Sequence, residues 1–343
     1  MAGRSRKRRR KVRLTFAGVI VLDIVLFVVC ALAMVLMVLS GRPGSRSAID
    51  ASGAEDLPAV VALSVDASAR PQETSTLAVA ATPEPTSATA TPEPTAVPGD
   101  FSAVFPAVDT GAGALLSYQT DSLRIAITKQ EAYGATYFVA DVWVKNIDAF
   151  RAAFAKDAYG RGLHEMPLDI ADRAGAVFAV SGDYYGARSE GVVVRNGQLY
   201  RDVMGEDVCI LHKDGTMEID QRGAFSSIEA IDDTVWQAWA FGPALVEGGS
   251  VCDTSSSSIR VKNPRSAIGY YEPGHYCFIV VDGRQSGYSD GMTLDELAST
   301  FASLGCTAAY NLDGGATAMM VFQGALVNHP TNGGRTSSDI ICF

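Results

Sequence analysis

Residues 277–322 read CFIVVDGRQSGYSDGMTLDELASTFASLGCTAAYNLDGGATAMMVF, and this stretch decides the fold class. The apolar run Cys277–Val281 predicts a buried strand, and Ala308–Leu312 predicts a second one. Each run stops at an acid followed by glycine, Asp282 in the first case and Asp313 in the second. The stretch therefore predicts two core strands, each of which delivers a carboxylate at its end.

The segment between these two strands predicts a helix at Thr293–Leu304, because Thr293 is followed three residues later by Glu296, the pattern of a capping box. A further helix is predicted near Ile147–Lys156. Asn196-Gly197 and Asp214-Gly215 are hairpin signals. Other strands are predicted at Ser122–Thr128, Thr136–Lys145, Gly175–Ser181, Gly191–Arg195, Gln198–Arg201, Val208–His212, Thr216–Ile219 and Ala318–Phe322. Since strands outnumber helices, we expect an α+β fold: a single domain with a mixed, mostly antiparallel β-sheet and a few packing helices, preceded by one transmembrane helix.

The N-terminus predicts a membrane anchor. Residues 4–13 hold eight basic side chains, and residues 14–39 are apolar apart from Asp23. A bilayer core needs roughly 20 helical residues, whereas the apolar core of a cleaved signal peptide has only about 7–15. We therefore predict a cytoplasmic tail at residues 1–13 and a transmembrane helix at residues 14–39. The basic cluster keeps the tail inside, so the C-terminal part faces outward in a type II layout at the cell membrane.

Composition divides the rest of the chain into two parts. Residues 40–105 are rich in Ala, Ser, Thr and Pro and repeat ATPEPT, which predicts a disordered stalk. Residues 106–343 have the alternating pattern of the globular domain. After residue 40 the chain holds 20 basic and 37 acidic residues, a net charge of −17. A nucleic-acid partner is not expected, because phosphate binding needs a basic face.

Acids and arginines are the candidate functional groups. Besides Asp282 and Asp313, Asp183 follows a predicted buried strand in Ser181-Gly182-Asp183. Taken singly, each such site is better explained as turn chemistry, but three in one domain favour function for Asp183 and Asp313. Arg265 precedes a predicted strand, and Arg335 lies in a glycine-rich loop. A guanidinium group binds phosphate oxygens through two donors, although surface ion pairing is the ordinary alternative.

Five cysteines lie outside the predicted span, so at most two internal disulfides can form, and their pairing stays open. No CxxC or Cys/His metal spacing occurs. We predict no metal site and no cofactor, although aspartates beside a phosphate leave room for a divalent cation.

The motifs NPRSAIG, VVDGRQSGYSDGMTLDELA, NLDGG and NGGRTSSDIICF, in this order, resemble the phosphodiester glycosidase family over roughly residues 120–343. That family includes an enzyme that removes N-acetylglucosamine from a phosphodiester and so uncovers mannose 6-phosphate. The resemblance implies hydrolysis of a sugar-1-phosphodiester on a cell-surface or cell-wall glycan or an exopolysaccharide. Two departures stand out: Ser181 replaces the usual Asn, and Ala316 follows NLDGG where Gly or Ser is usual.

The resemblance also implies the site residues. Asp313, Asp183 and Asp282 are implied as catalytic, with Asp313 or Asp183 as the principal group. The residues implied to bind substrate or phosphate are Arg265, Arg335, Asn311, Gly314, Gly315, Thr317 and Ser181.

Two other functions compete with this hypothesis. A wall-polymer glycosyl or phosphoglycosyl transferase would share the anchor and stalk, but should carry a basic cluster for a lipid pyrophosphate. A non-catalytic glycan-binding domain would be consistent with the altered segment Ala316-Thr317-Ala318.

Overall fold

The structure is a computed structural model, and it describes residues 99–107, 113–203, 205, 207–220 and 233–343. These residues belong to one compact unit, Ser87–Phe343. The predicted tail, the predicted transmembrane helix and nearly all of the predicted stalk lie outside the described residues. Among the residues that are described, no helix is long and apolar enough to cross a membrane.

The described residues form eighteen strands and two α-helices, together with several short 3-10 turns. The helices are α1 (Pro167–Arg173) and α2 (Leu294–Ser303). In chain order the strands are β1 (Leu116–Gln119), β2 (Leu123–Ala132), β3 (Ala135–Val144), β4 (Arg151–Phe154), β5 (Phe178–Ser181), β6 (Gly191–Arg195), β7 (Gln198–Val203), β8 (Val208–His212), β9 (Met217–Asp220), β10 (Val235–Trp239), β11 (Ala244–Glu247), β12 (Ser250–Val251), β13 (Arg265–Glu272), β14 (His275–Val281), β15 (Ala308–Asn311), β16 (Met320–Phe322), β17 (Ala325–Leu326) and β18 (Asp339–Cys342).

The strands form three sheets. The first sheet has eight strands in the order β1-β2-β3-β14-β13-β15-β11-β12. The second sheet has the order β7-β6-β10-β8-β9, and the third has β17-β16-β5-β18-β4. Every strand pairing recorded within the described ranges is antiparallel. The predicted α+β class with mostly antiparallel strands is thus confirmed, whereas the prediction of one mixed sheet is wrong, because the described strands form three sheets with antiparallel pairings.

One aromatic core joins the three sheets. Phe278 comes from the first sheet, Trp239 from the second and Phe178 from the third, and all three belong to one buried cluster. Phe150 lies among them, with ring centroids 5.9 Å from Trp239 and 6.1 Å from Phe278. Large buried aromatic side chains contribute much of the apolar area that stabilises a core, so this cluster holds the sheets together.

Each helix covers the outer face of a sheet. Helix α2 begins with the predicted capping box: the Glu296 amide donates to Thr293 Oγ1, and the Thr293 amide donates to a Glu296 carboxylate oxygen. It buries Leu297 and Phe301 against the first sheet. Helix α1 starts at Pro167 and packs on the third sheet. The sequence did not predict α1, because seven residues are too short to show a helical period.

The helix predicted near Ile147–Lys156 is wrong. Its middle residues form β4, which pairs with β18, and 3-10 turns flank it on both sides. Lys156 and Asp157 have φ of 58° and 55°, which no right-handed helix contains. Pairing with a distant strand therefore prevails over the local helical preference.

The antiparallel register brings the candidate residues to one end of the first sheet. Arg265 at the start of β13 pairs with Val281 at the end of β14. Asn311 at the end of β15 pairs with Ala267 of β13. The Asp313 amide then donates to the Gly182 carbonyl oxygen, which ties this end to the segment that follows β5 in the third sheet.

Candidate active site

A cavity of about 230 Å³ opens at this end of the first sheet. It lies beside the turn that follows β15. The residues that line it are Phe241, Ile259, Asn263, Pro264, Arg265, Arg284, Asn311, Leu312, Asp313, Gly314, Gly315, Ala316 and Arg335. Six of the predicted site residues are in this lining: Arg265, Asn311, Asp313, Gly314, Gly315 and Arg335. The one acid among the lining residues is Asp313.

Asp313 is held at the end of its strand with 5% of its surface exposed. Thr317 Oγ1 lies 2.7 Å from Asp313 Oδ2 and 2.5 Å from the Gly314 carbonyl oxygen, so its single hydrogen can serve only one of them at a time. Arg335 Nη2 lies 3.7 Å from Asp313 Oδ2. Burial raises the pKa of Asp313 to about 6, although Thr317 and Arg335 oppose the shift. A carboxyl group with this pKa can exchange protons near neutral pH.

Two glycines shape the wall next to Asp313. A Cβ on Gly314 would lie 2.7 Å from the Pro264 carbonyl oxygen, so only glycine lets the two backbone segments approach this closely. Gly315 has φ of +62°, and a Cβ there would contact the Arg284 guanidinium group at 3.5 Å. The Asp-Gly-Gly sequence is therefore required by the backbone path, and it leaves room for Arg284 beside the turn.

Arg284 is a lining residue that the sequence analysis missed. Its Nε and Nη2 donate to Asn263 Oδ1 at 3.1 and 2.7 Å. Its φ of +58° is unusual for a side chain of this size, and such strain concentrates at functional sites. The available signal was its position, since Arg284 follows the strand-ending Asp282-Gly283 directly.

Arg335 and Arg265 differ in how their guanidinium groups are used. Arg335 is 50% exposed and lies over the Tyr184 ring, 5.3 Å from its centroid. Arg265 is buried, and its Nε and Nη2 donate to the carbonyl oxygens of Met292, Ile259 and Val261. Burial and the nearby Arg284 lower the pKa of Arg265 to about 10. Arg335 is therefore free to meet a ligand, whereas Arg265 mainly braces the cavity wall.

Asp183 is placed behind the cavity, in a buried ion cluster. Its Oδ1 accepts from the Tyr185 amide, and its Oδ2 accepts from the Ala240 amide at 2.9 Å. Arg195 Nη2 lies 2.9 Å from Asp183 Oδ1, and Arg195 Nε lies 2.7 Å from Asp339 Oδ2. All three side chains are at most 1% exposed. This geometry gives Asp183 a structural environment, with both carboxylate oxygens already occupied.

Replacing Arg195 by Met should lower the free energy of unfolding by about 3–5 kcal/mol, because two buried carboxylates lose the cation between them. Urea unfolding of the variant and of the native protein would measure the difference. The matched control is Lys129→Met at an exposed position of β2, which should stay within about 0.5 kcal/mol of the native protein. Equal stability of the two variants would show that the buried cluster does not hold the fold.

Asp282 and Ser181 are also committed to structure. Asp282 Oδ1 accepts from Asn328 Nδ2, while Oδ2 accepts from the Tyr288 hydroxyl and the His329 amide. Burial raises the pKa of Asp282, against the effect of these donors. Ser181 Oγ donates to the Thr317 carbonyl oxygen. The two residues therefore brace the loops around the cavity without lining it.

Asn311 offers an unused acceptor at the cavity. Its Nδ2 donates to the Gly242 carbonyl oxygen at 2.8 Å, which fixes the amide. Its Oδ1 is buried without a hydrogen-bond partner among the described residues. A buried acceptor without a donor is costly, and because this oxygen is closed to solvent, a substrate hydroxyl would reach it only if the wall moved.

The cysteines lie outside the cavity lining. The five cysteines at positions 209, 252, 277, 306 and 342 are free thiols. Cys277 and Cys306 are the pair in contact, with 3.5 Å between their Sγ atoms. Within the described part of the chain, no group of three or more His, Cys, Asp or Glu residues is arranged to hold a metal ion.

Comparisons with known proteins bear on the family and the fold of the chain. Residues 174–343 match the family model described as phosphodiester glycosidase. The chain is 29% identical over 242 residues to the SPbeta prophage-derived uncharacterized protein YomE of Bacillus subtilis, in an alignment that covers 62% of this chain and 37% of that protein. The chain thus spans little more than a third of that relative's length.

Two solved structures share the fold. The catalytic domain of zebrafish N-acetylglucosamine-1-phosphodiester alpha-N-acetylglucosaminidase, auto-inhibited by its pro-peptide, has a TM-score of 0.52 and 19% identity, covering 72% of this chain and 95% of that one. A hypothetical protein from Synechocystis has a TM-score of 0.51 and 13% identity, covering 67% of this chain and 64% of that one. At these identities the likeness concerns the fold alone.

Proposed function

The chain carries a phosphodiester glycosidase-family domain at residues 174–343, and from this premise we propose that it hydrolyses sugar-1-phosphodiesters. Water would attack C1 of the sugar, the bond from C1 to the bridging phosphate oxygen would break, and the products would be free sugar and a phosphomonoester. The zebrafish structure with the same fold is of an enzyme whose name gives this bond type. The substrate of this chain is part of the proposal.

The observation that carries the proposal is the pairing of Asp313 with two accessible arginines in one cavity. Ordinary glycosidases use two carboxyl groups, because an alcohol leaves poorly unless an acid protonates it. Here Asp313 is the one acid in the lining, and Arg284 and Arg335 line the same cavity. A phosphomonoester leaves more readily than an alcohol, since its second pKa is about 6. One carboxylate and two cations are therefore the groups that this reaction needs.

Each of these residues has a role in the proposed reaction. Ionised Asp313 accepts a proton from the attacking water or stabilises the positive charge that develops at C1. Arg284 and Arg335 stabilise the negative charge on the departing phosphate. At about 230 Å³ the cavity is smaller than typical small-molecule pockets of about 300–1,000 Å³, which fits a single terminal sugar residue.

The direct test is sugar release by the full-length protein in detergent micelles. A panel of methyl phosphodiesters of common 1-phosphosugars would be incubated with the protein, and free sugar and phosphomonoester would be assayed together. The proposal expects the two products in equal amounts. Transfer of the sugar to an acceptor without free sugar would indicate a transferase, and saturable binding without turnover would indicate a glycan-binding domain.

The reaction should depend on pH through Asp313. Because the ionised form is the active one and its pKa is about 6, kcat/KM should fall tenfold per pH unit below about pH 6 and level off above it. Burial also raises the pKa of Asp339 to about 6. A pH series on the native protein alone therefore does not show which of the two aspartates causes the fall in kcat/KM. The residual kcat/KM of Asp313→Asn should no longer fall below pH 6. If the fall persists in this variant, another group is responsible for it.

The cellular setting is a further proposal. Eight basic side chains before a 26-residue apolar segment support an anchor with the domain on the outer side of the cell membrane. The substrate would then be a cell-surface or cell-wall glycan phosphodiester, or an exopolysaccharide. Protease added to intact cells should remove the domain epitope while a tag at the N-terminus stays protected. Protection of both ends would contradict this orientation.

A further inference from the structure

A third arginine, Arg188, packs against Phe241, one of the residues that line the cavity. Arg188 follows a 3-10 turn after β5 and is partly buried. Its guanidinium carbon lies 4.5 Å from the centroid of the Phe241 ring, and its Nη1 lies 3.4 Å from the Ala240 carbonyl oxygen. Phe241 lines the cavity. Arg188 is therefore held against a residue of the cavity wall without lining the cavity itself, and its charge lowers the pKa of Asp313.

Neutral groups hold all three accessible arginines. Arg284 is fixed by the Asn263 amide oxygen, Arg335 by the Tyr184 ring and Arg188 by the Phe241 ring. Within the described part of the chain, the ion pair that these three arginines make with a carboxylate is the contact of 3.7 Å between Arg335 Nη2 and Asp313 Oδ2. Preorganised cations without tight carboxylate partners keep most of their charge available for a ligand.

Cations outnumber carboxylates in the cavity lining. Arg265, Arg284 and Arg335 line the cavity with the single carboxylate of Asp313, so three positive charges and one negative charge give the lining a net charge of +2 when Asp313 is ionised. The carboxylates of Asp183, Asp282 and Asp339 lie outside the lining, and donors of the protein already hold them. A phosphodiester brings a charge of −1, so one positive charge of the lining is left over, and Arg188 adds a further cation next to Phe241.

Resting on the proposed function, we propose that the cavity selects substrates with a second phosphate next to the scissile phosphodiester, and that Arg188 binds this second phosphate. The second group can be the outer phosphate of a diphosphate ester or the neighbouring phosphodiester of a polymer. Binding at Arg188 would add a charge-assisted hydrogen bond outside the sugar pocket. The bond from C1 to oxygen breaks as before, and the leaving group is then a nucleoside diphosphate or a phosphate-terminated polymer.

Three substrates of one sugar would test this selection: its methyl phosphodiester, its nucleoside diphosphate ester and a two-repeat glycosyl phosphate polymer. We expect kcat/KM for at least one of the two doubly anionic substrates to exceed that of the methyl phosphodiester by about 10–100-fold, as for one charged hydrogen bond. The substrate whose kcat/KM exceeds that of the methyl phosphodiester shows whether the second phosphate comes from a diphosphate ester or from a polymer. Arg188→Gln should reduce this ratio to near one, Arg188→Lys should give an intermediate ratio, and Lys129→Gln should leave the ratio unchanged.

The outcomes separate the two proposals. Two results would overturn the role of Arg188 without contradicting the hydrolase. One is equal kcat/KM for all three substrates in the native protein. The other is an unchanged ratio in Arg188→Gln when that variant has the native thermal unfolding midpoint. Absence of sugar release from all three substrates contradicts the hydrolase itself, and this inference with it. If Arg188→Gln does not fold, Arg188→Lys decides. In that variant, a ratio of kcat/KM values that stays at the native value of tenfold or more contradicts the proposal.

Discussion

Asp313→Asn should lower kcat for sugar release by about 10²–10⁴-fold, because the variant loses the group that activates water or stabilises charge at C1. The amide is nearly the same size, and it can still accept from Thr317 Oγ1, which lies 2.7 Å from Asp313 Oδ2 in the native protein. Substrate binding should therefore change much less than kcat. Initial rates with the substrate that the native protein cleaves best would measure both.

The same variant should fold at least as well as the native protein at neutral pH. The pKa of Asp313 in the folded state is about 6, above its ordinary value of 3.8, so the folded protein binds this proton more tightly than the unfolded chain does. The ionised carboxylate therefore costs stability above pH 6, and asparagine removes that cost. Undiminished turnover would remove Asp313 from the mechanism, whereas lost activity with lost stability would show only misfolding.

The second large effect is expected for the two phosphate-binding arginines. Arg284→Gln and Arg335→Gln should each lower kcat/KM by about 10²–10³-fold, since each removes a charged donor to the leaving phosphate. An activated substrate distinguishes this role from a structural one. With a nitrophenyl glycoside, whose leaving group carries less charge in the transition state, the two losses should be much smaller.

Arg265→Gln is the matched comparison for these two variants. The Arg265 guanidinium group donates to three backbone carbonyl oxygens and braces the wall, so this change should act mainly on stability. Equal losses for the nitrophenyl glycoside and the phosphodiester would contradict leaving-group stabilisation by Arg284 and Arg335. A large catalytic loss with native stability for Arg265→Gln would place that residue among the phosphate ligands instead.

Local sequence signals predicted the parts of the site that the backbone itself determines. Asp313, Gly314 and Gly315 follow a buried strand, and both the strand and the turn can be read from a few consecutive residues. The capping box of α2 is equally local, because both partners lie within one helical turn. These predictions succeeded because the interactions that decide them span few residues.

The use of a charged group depends on partners that are distant in sequence. Asp183 and Asp313 look alike in the sequence, each behind a strand and next to glycine. What separates them is Arg195, whose position before the Asn196-Gly197 turn suggests an exposed hairpin residue, yet it is buried between Asp183 and Asp339. Arg284 was missed for the same reason, because Gly315, the turn residue beside its guanidinium group, is remote along the chain.

Hydrolysis in water enriched in ¹⁸O tests the central claim most directly. If water attacks C1 with Asp313 as the activating or stabilising group, the bridging oxygen leaves with phosphate. The phosphomonoester product should then carry no ¹⁸O, as measured by mass spectrometry or by the isotope shift of its ³¹P resonance. One ¹⁸O atom in the phosphomonoester would mean that water attacks phosphorus, and it would contradict the glycosidase mechanism.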